Sequence, residues 1–494
     1  MKPVILIHGY SAESPASDLT SITHIYGDLP HDLKESFDVV EIDLSRYVSL
    51  NDSVSVQDIA FALDRVLNEL HADLLKSGFH VIIHSTGALV IRTWVQLFSP
   101  KPSPLCNLIY LAGANFGSGW ASIGQGQIAR WGRFVFERGA QRGVKVLQAL
   151  ELGSADTVDT HLYFTQSGTK MLEDYKVQEF VIIGTQADPE WFTFPVRYAH
   201  EDGSDGTVRV SASNLNFNHI RIGPTKDTSA LSWAAIRKAV DDANHKRDFP
   251  QYYELKECSL GGKDRPAIPF AIAYQCAHTG EKMGIVSGTL PKEQVQRLIK
   301  IALDTPERNR TQWSNAVAAF DKETNDTYND ARTMQKPGLF SFLDDPRNQY
   351  DPHAQVIVRL QDQNGIRIPI AQSDIHFDSE QQDPKAMPMQ KLVEDTSVSG
   401  VSPNCICFYL RAVRFDRKSK QWIDQLGNVG DFVLEITAIE PAADRQDPLV
   451  AYLPLRIPLN KADVGKYIQP HRTTIIDVEL LRLPSSDVYK LVAF

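Results

Sequence analysis

The 494-residue sequence predicts an α/β domain with a doubly wound, mostly parallel sheet, followed by an all-β, sandwich-like domain. Two observations predict this order. In the first part, short Val- and Ile-rich runs alternate with helical patterns, which is typical of a parallel sheet covered on both faces. From residue 353 onward, runs that alternate apolar with polar residues follow one another with few helical patterns between them, which favours an antiparallel sandwich.

Composition and charge narrow the class of protein. Hydrophobic residues make up 43% and charged residues 23%, which excludes a disordered, collagen-like or coiled-coil chain. The net charge of −10 is opposite in sign to the strongly basic balance that is typical of nucleic-acid-binding proteins. No apolar run approaches the ~20 residues of a membrane-spanning helix, and the first run, Val4–Ile7, is too short for a signal peptide. We therefore expect a cytoplasmic protein, or one exported by a signal-independent route.

The first domain is expected over residues 1–305. Its predicted helices are an amphipathic one from Ser55 to Leu75, opened by a capping box of Ser55 and Asp58, and one from Pro291 to Leu303. Its predicted strands are Val4–Ile7, Phe37–Ile42, His80–Ile83, Leu108–Ala112, Phe180–Ile183 and Ile268–Tyr274. Residues 116–160, rich in Gly and aromatic residues, interrupt this rhythm. Two readings of them remain open, a long connection packed on the body or a lid over an apolar cleft.

The rest of the chain differs in kind. Residues 306–352 are polar, and we interpret them as a helical and looped connector. Residues 353–494 are expected to form an accessory β-sandwich domain that resembles no family we can name. Its predicted strands are Ala354–Leu360, Cys405–Val413, Phe432–Ile439, Tyr452–Leu459 and Thr474–Leu483.

The strongest motif for chemistry is Ile83-His84-Ser85-Thr86-Gly87. A buried strand pattern runs into Ser85 and then directly into a helical pattern, which requires a tight turn. Such a turn holds the serine in a strained conformation and exposes its hydroxyl. The motif departs from the usual G-x-S-x-G of a nucleophile elbow, because Ile83 replaces the first glycine.

Other motifs resemble those of α/β-hydrolase lipases and esterases, in the branch of bacterial lipases and PGAP1-like hydrolases. The first strand ends in His8-Gly9, similar to the turn that places a backbone N–H against the substrate carbonyl in those enzymes. The resemblance implies an oxyanion hole made by the N–H groups of Tyr10 and Thr86.

A serine nucleophile needs a base and an orienting carboxylate, which follow it in the order acid, then histidine, in this fold. The segment Asp205-Gly-Thr-Val208 resembles the acid loop of these lipases, which implies Asp205 as the acid with Asp202 as the alternative. His278, in a small-residue loop after a strand pattern, is the favoured base. His219, inside another strand pattern, is the alternative.

The resemblance implies a serine carboxylester hydrolase, a lipase, phospholipase or esterase, that cleaves a lipid or small ester through an acyl-enzyme on Ser85. We expect it to need neither a catalytic metal nor a cofactor, with a structural calcium ion left open, and to bind no nucleic acid. Two alternatives use the same residues or fold, a binding module without turnover and an acyltransferase. The C-terminal domain is expected to contact a membrane surface or a partner protein, or only to brace the catalytic domain.

Overall fold

The computed structural model describes residues 2–7, 26–44, 51–119, 144–187, 201–232, 234–235, 238, 252–307, 309–334, 345–379, 386–440 and 449–484. Its contacts divide the chain into two compact units. Unit 1 comprises Met1–Asn216, Pro266–Pro352 and Phe415–Gln421, and unit 2 comprises Phe217–Arg265, His353–Arg414 and Trp422–Phe494.

Unit 1 contains a parallel sheet in the order β2-β1-β3-β4-β5-β8. The strands are β1 Val4–Ile7, β2 Val39–Ile42, β3 Phe79–His84, β4 Leu105–Leu111, β5 Gln178–Ile183 and β8 Phe270–Ile272. The chain moves first to one side of β1 and then to the other, so the sheet is doubly wound and its topology reverses between β1 and β3. Ligands of such sheets bind at the carboxyl ends of the strands, near the reversal.

Helices cover both faces of this sheet. On β1, Ile5 and Ile7 belong to one apolar cluster, and Val4 and Leu6 belong to another. The helices of unit 1 are α1 Leu29–Lys34, α2 Val56–Leu70, α3 Ala72–Ser77, α4 Gly87–Leu97, α5 Val144–Ala149, α6 Ala155–Tyr163, α7 Val210–Ser213, α9 Lys292–Asp304 and α10 Arg310–Thr333, with a π-turn at Met171–Tyr175 and a 3₁₀ turn at Pro346–Tyr350. Helices α2 and α4 contribute to the first cluster, and α9 and α10 to the second.

The predicted capping box at the start of α2 is present. The Ser55 hydroxyl accepts the Asp58 N–H, and the Asp58 carboxylate accepts the Ser55 N–H at 2.9 Å. The helix ends at Leu70 rather than Leu75, because the backbone of His71 leaves the helical region and the short α3 begins after it.

Unit 2 is rich in β-structure, and its largest sheet has the order β11-β12-β9-β18-β6-β7. Its strands are β6 Asn218–Pro224, β7 Tyr253–Ser259, β9 His353–Asp362, β11 Val393–Val398, β12 Cys405–Arg411 and β18 Thr473–Leu480. A second, antiparallel sheet consists of β10 Ser373–Ser379, β15 Phe432–Ala438 and β17 Leu455–Leu459. One apolar cluster draws Val356 and Val358 from the first sheet and Leu434 and Ile436 from the second.

Two short strand pairs and several helical turns are also present among the described residues. The pairs are β13 Val413–Asp416 with β14 Gln421–Asp424, and β16 Val450–Tyr452 with β19 Arg482–Pro484. The helical turns are α8 Lys226–Ser229, α11 Lys461–Tyr467, and the 3₁₀ segments Ile370–Gln372, Met389–Leu392 and Leu426–Asn428. In the described part of the chain, no helix combines the length and the apolarity that crossing a bilayer would require.

The α/β sheet followed by antiparallel β-sheets confirms the predicted fold class, but the C-terminal region differs from a purely antiparallel sandwich. Strand β18 lies parallel to both β9 and β6, so the large sheet is mixed. Strands β6 and β7 join it from residues 217–265, which the sequence places in the first domain.

Residues 306–352, the expected connector, belong to unit 1. Helix α10 buries Phe320 in an apolar cluster of unit 1, and its Thr327 hydroxyl donates to the Ile272 carbonyl of β8 at 2.7 Å. The expected boundary at residue 353 coincides with the start of a segment of unit 2, whereas residue 305 lies inside the unit 1 segment Pro266–Pro352, and segments distant in sequence complete each unit.

A buried ion pair links α4 to the sheet. Arg92 of α4 pairs with Glu179 of β5, and the Tyr110 hydroxyl of β4 donates to the same carboxylate at 2.6 Å. The exposed fractions of Arg92 and Glu179 are 3% and 5%, and the Arg92 guanidinium lies 4.7 Å from the centre of the Phe164 ring. Each charge is therefore compensated inside the protein.

We expect Arg92→Met to destabilise the fold by about 3–5 kcal/mol, because it leaves the Glu179 charge buried without its cation. Urea denaturation measures the change. The matched control is Arg65→Met, which removes an exposed i,i+4 pair with Glu69 and should cost no more than about 0.5 kcal/mol. Equal losses from the two variants would contradict the interpretation.

Candidate active site

Ser85 lies at the sharp turn that the sequence predicts. It is the first residue after β3, and α4 begins two residues later. Its φ of 54° is in the left-handed region, which costs a non-glycine residue about 1–3 kcal/mol and is common at functional sites. The Ser85 N–H donates to the Leu111 carbonyl of β4 at 3.1 Å. The turn therefore places a partly exposed hydroxyl at the carboxyl end of a buried strand.

Ile83, where an elbow usually has its first glycine, does not prevent this turn. Its side chain is fully buried in the same apolar cluster as Ala88 and Ile91 of α4. In the sheet it lies opposite Ile7 of β1 and Tyr110 of β4. The bulky side chain thus contributes to the core and leaves the turn geometry intact.

Asp205 presents both carboxylate oxygens to donors. Its Oδ1 accepts the N–H groups of Thr207 and Val208 at 2.9 and 2.7 Å, and its Oδ2 lies 2.8 Å from His278 Nδ1. The side chain is 1% exposed. A buried carboxylate is stable only when it is paired in this way, so the turn after Asp205 and the imidazole both determine its position.

His278 links the acid to the serine. Its Nε2 lies 3.0 Å from Ser85 Oγ, and its backbone N–H donates to the Asp205 carbonyl at 2.9 Å. The acid loop and the base loop are therefore joined by a backbone and a side-chain hydrogen bond. The network assigns the Nδ1–H tautomer, in which Nδ1 donates to Asp205 and Nε2 accepts the Ser85 hydroxyl proton.

The base loop passes very close to the loop that follows β5. A Cβ atom added to Gly184 would lie 1.9 Å from the Cys276 carbonyl oxygen. The Gln186 N–H donates to the same carbonyl at 3.2 Å. Burial and the nearby negative charge of Asp205 raise the pKa of the Cys276 thiol, so this sulfur stays protonated and is a poor nucleophile.

His84, which the sequence analysis did not single out, contacts His278. Its Nε2 lies 3.2 Å from the His278 carbonyl oxygen, and the centres of the two imidazole rings are 4.7 Å apart. Its position immediately before Ser85 is the only sequence signal that could have indicated this contact.

Of the two residues predicted to form the oxyanion hole, the structure describes Thr86 but not Tyr10. Thr86 is buried, and its N–H has no hydrogen-bond acceptor among the described residues. His8, Gly9 and Tyr10 lie outside the described residues. The assignment of the Tyr10 and Thr86 N–H groups to an oxyanion hole therefore stays a prediction.

The alternative acid and base have other surroundings. In unit 2, His219 Nε2 lies 2.8 Å from Asp477 Oδ2, and Arg359 donates to both oxygens of the same carboxylate. Although burial opposes it, these hydrogen bonds lower the pKa of Asp477 to about 2. Asp202 is half-buried, three residues before the carboxylate that contacts His278. In the described ranges, no group of three His, Cys, Asp or Glu side chains is arranged to hold a metal ion.

Most of the insert predicted at residues 116–160 lies outside the described residues, which leave out 120–143. Its first residues are buried beside the acid loop, where the Ser118 hydroxyl donates to the Thr207 carbonyl at 2.5 Å. Its last residues form α5 and the start of α6. The choice between a lid and a packed connection remains open.

A serine after β3, an acid after β5 and a histidine after the last strand of a doubly wound parallel sheet define the α/β-hydrolase fold. A family model for palmitoyl protein thioesterase matches residues 3–148. This range includes Ser85 and ends before Asp205 and His278.

The solved structure of phospholipase PlaB from Legionella pneumophila matches 100% of this chain and 96% of its own, with 21% identity and a TM-score of 0.74. The structure of the same phospholipase in complex with thio-NAD matches with the same values. No curated protein matches the chain. At this identity the likeness concerns the fold, and it confirms the predicted α/β-hydrolase fold together with the β-rich C-terminal part.

We expect Gly184→Ala to displace the base loop, because the new methyl group would overlap the Cys276 carbonyl. The free energy of unfolding should fall by about 1–3 kcal/mol or more, as for other overpacked sites. Thermal and urea unfolding measure it. Gly465→Ala is the matched control, since a Cβ there meets nothing within 4 Å and the residue lies inside α11; it should be neutral or stabilising by up to about 1 kcal/mol. Equal stability of the two variants would refute this view of Gly184.

Proposed function

We propose that the chain is a serine carboxylester hydrolase acting on esters with long acyl chains. The observation that carries this proposal is the unbroken hydrogen-bonded series from Ser85 Oγ to His278 Nε2 and from His278 Nδ1 to Asp205 Oδ2, at 3.0 and 2.8 Å. A hydroxyl, an imidazole and a buried carboxylate in this order are the groups that acyl transfer through a serine requires.

The reaction follows from the positions of these atoms. Ser85 Oγ attacks the ester carbonyl while His278 Nε2 takes its proton, and the same nitrogen then protonates the leaving alcohol. The Asp205 carboxylate stabilises the imidazolium that forms between the two steps. Water, activated by the same imidazole, then releases the acid from Ser85. The Thr86 N–H, with that of Tyr10, supplies donors for the oxyanion.

The proposed substrate class rests on the chemistry that the matching family and the matching structure have in common. The family model concerns removal of a palmitoyl group from protein, and the matching structure is a phospholipase. Both names imply a long acyl chain carried on a thioester or an oxygen ester. We therefore propose acylglycerol or phospholipid esters as substrates, with the aromatic insert after Phe116 as the apolar contact. A net charge of −10 favours apolar over electrostatic attachment to an anionic lipid surface.

Geometry favours an enzyme over a binding module. A binding module has no need for a buried carboxylate, a strained serine and an imidazole aligned between them, each of which lowers stability unless it is compensated. Acyl transfer to an alcohol uses the same atoms, so only the products distinguish it from hydrolysis.

Ser85→Ala should abolish hydrolysis of p-nitrophenyl butyrate, a loss of roughly 10⁶-fold in kcat if the serine acts as in other hydrolases. It should also abolish labelling by a fluorophosphonate probe. Ser77→Ala, which removes a hydroxyl that donates to the backbone carbonyls of Asp73 and Gly78, is the control and should retain both. A wild-type protein that is folded but neither labels nor turns over would support the binding module instead.

Substrate preference needs a separate assay. We expect hydrolysis of p-nitrophenyl palmitate and of phosphatidylcholine in mixed micelles, with free fatty acid as the product. Faster cleavage of palmitoyl-coenzyme A than of either ester would favour a thioesterase. Formation of a new ester in the presence of added alcohol, without free acid, would favour an acyltransferase.

Asp205→Asn should lower kcat by roughly 10³–10⁴-fold with little change in stability. The amide oxygen can still accept the Thr207 and Val208 N–H groups, but the amide NH₂ faces His278 Nδ1 and selects the tautomer whose Nε2 carries hydrogen. That tautomer cannot accept the Ser85 proton. Asp202→Asn is the discriminating control and should keep nearly full kcat. A larger loss of kcat in Asp202→Asn than in Asp205→Asn would indicate that Asp202 is the acid.

A further inference from the structure

A short segment of unit 1 contacts both loops that carry the proposed acid and base, although it contains neither. It comprises residues 345–351, including the 3₁₀ turn Pro346–Tyr350, and is called the brace segment below. It follows the described end of α10 and belongs to the part of the chain expected to be a connector.

On the side of the base, the contact is made by Tyr350. Its hydroxyl accepts the Gln275 N–H at 3.1 Å and donates to Gln186 Oε1 at 2.7 Å. Gln275 has a φ of 47°, a left-handed conformation that a non-glycine residue adopts at a cost, and lies three residues before His278. The hydroxyl thus joins a strained residue of the base loop to the loop after β5.

On the side of the acid, the contact is made by the backbone of Gln349. Its carbonyl accepts the Gly203 N–H at 3.0 Å and the Thr185 hydroxyl at 2.7 Å. Gly203 lies two residues before Asp205. Two consecutive residues of the brace segment, Gln349 and Tyr350, therefore hold the acid loop, the base loop and the loop after β5 together.

The brace segment is itself fixed by buried charges. Arg347 makes a bidentate pair with Asp345 at 2.8 and 2.7 Å, and its guanidinium lies 4.6 Å from the centre of the Phe415 ring. The Phe415 N–H donates to Asp351 Oδ1 at 2.7 Å. Phe415 begins the stretch Phe415–Gln421, which completes unit 1 from the C-terminal part of the chain.

We propose that Tyr350 is a positioning residue for the hydrolase reaction, and that the brace segment sets the alignment of His278 between Asp205 and Ser85. This inference rests on the proposed function. Burial raises the pKa of the Tyr350 hydroxyl, so the group stays protonated and can donate to Gln186 while it accepts from Gln275. Without the hydroxyl, the Gln275 N–H and the Gln186 amide oxygen each lose a hydrogen-bond partner. The base loop then loses the hydrogen bond that holds Gln275, its residue with a positive φ.

The test is Tyr350→Phe, which keeps the ring packed against Tyr274 and Tyr328 and removes only the hydroxyl. We expect kcat for p-nitrophenyl butyrate to fall about 10- to 100-fold, the size expected for a slightly misplaced catalytic group. KM should stay within about twofold, because the substrate-binding surface is unchanged. The rate of fluorophosphonate labelling should fall by the same factor as kcat, since both report the alignment of His278 with Ser85.

The matched control is Tyr175→Phe. Its hydroxyl is also in unit 1 and meets the Tyr163 hydroxyl at 3.1 Å, before β5 rather than after it. It should keep kcat within about twofold of the wild type. Equal kcat values for the two variants, or a loss in Tyr350→Phe that matches its unfolded fraction by circular dichroism, would overturn the proposal.

A second variant separates a shared contact from a general loss of stability. Gln186→Met removes the acceptor of the Tyr350 hydroxyl, so the double variant should lose about as much kcat as Tyr350→Phe alone if the two substitutions act through the same hydrogen bond. Multiplied losses would overturn the proposal. A failure of the proposed function is distinguishable from these outcomes, because the wild-type protein would then show neither turnover nor labelling. If only the brace proposal fails, the wild-type protein still shows both.

Discussion

The Asp205 carboxylate is buried, and three hydrogen-bond donors hold it in place, two from its own loop and one from His278. A carboxylate in such surroundings costs several kcal/mol if it loses these partners. The acid loop and the base loop therefore depend on each other, because each supplies what the other needs to remain folded. The backbone hydrogen bond from His278 to Asp205 adds a second tie between them. The position of the imidazole relative to Ser85 is a consequence of this arrangement.

The chain crosses between the two units more often than a linear division suggests. Residues 217–265 leave unit 1 to add β6 and β7 to the large sheet of unit 2, and Phe415–Gln421 returns to unit 1 from the C-terminal part. Ending the chain near residue 335 would therefore remove Gln349 and Tyr350, which contact the acid and base loops, together with the β-rich region. A loss of activity in such a shortened protein would not separate a role of unit 2 from a defect in unit 1.

His278 and His219 show what local sequence patterns can predict about a histidine and what they cannot. The sequence favoured His278 as the base because this residue follows a strand pattern in a loop of small residues. His219 lies inside a strand pattern, where a histidine is more often packed than catalytic. His219 is paired with Asp477, which lies 258 positions away in sequence. No local pattern indicates that partner, because it depends on β18 lying beside β6. The same holds for Tyr350, whose neighbours Gln186 and Gln275 are 164 and 75 positions distant.

Local sequence was sufficient for the fold class, the strand before Ser85, and the capping box of Ser55 and Asp58. These features follow from periodicity, turn chemistry and capping, which act over a few residues. Tertiary structure decided which carboxylate meets His278, how Ile83 is accommodated at the elbow, and which segments complete each unit. Those outcomes depend on contacts between residues far apart in the chain, such as Ser85 and His278 at 193 positions, and only the packing of the whole sheet brings such residues together.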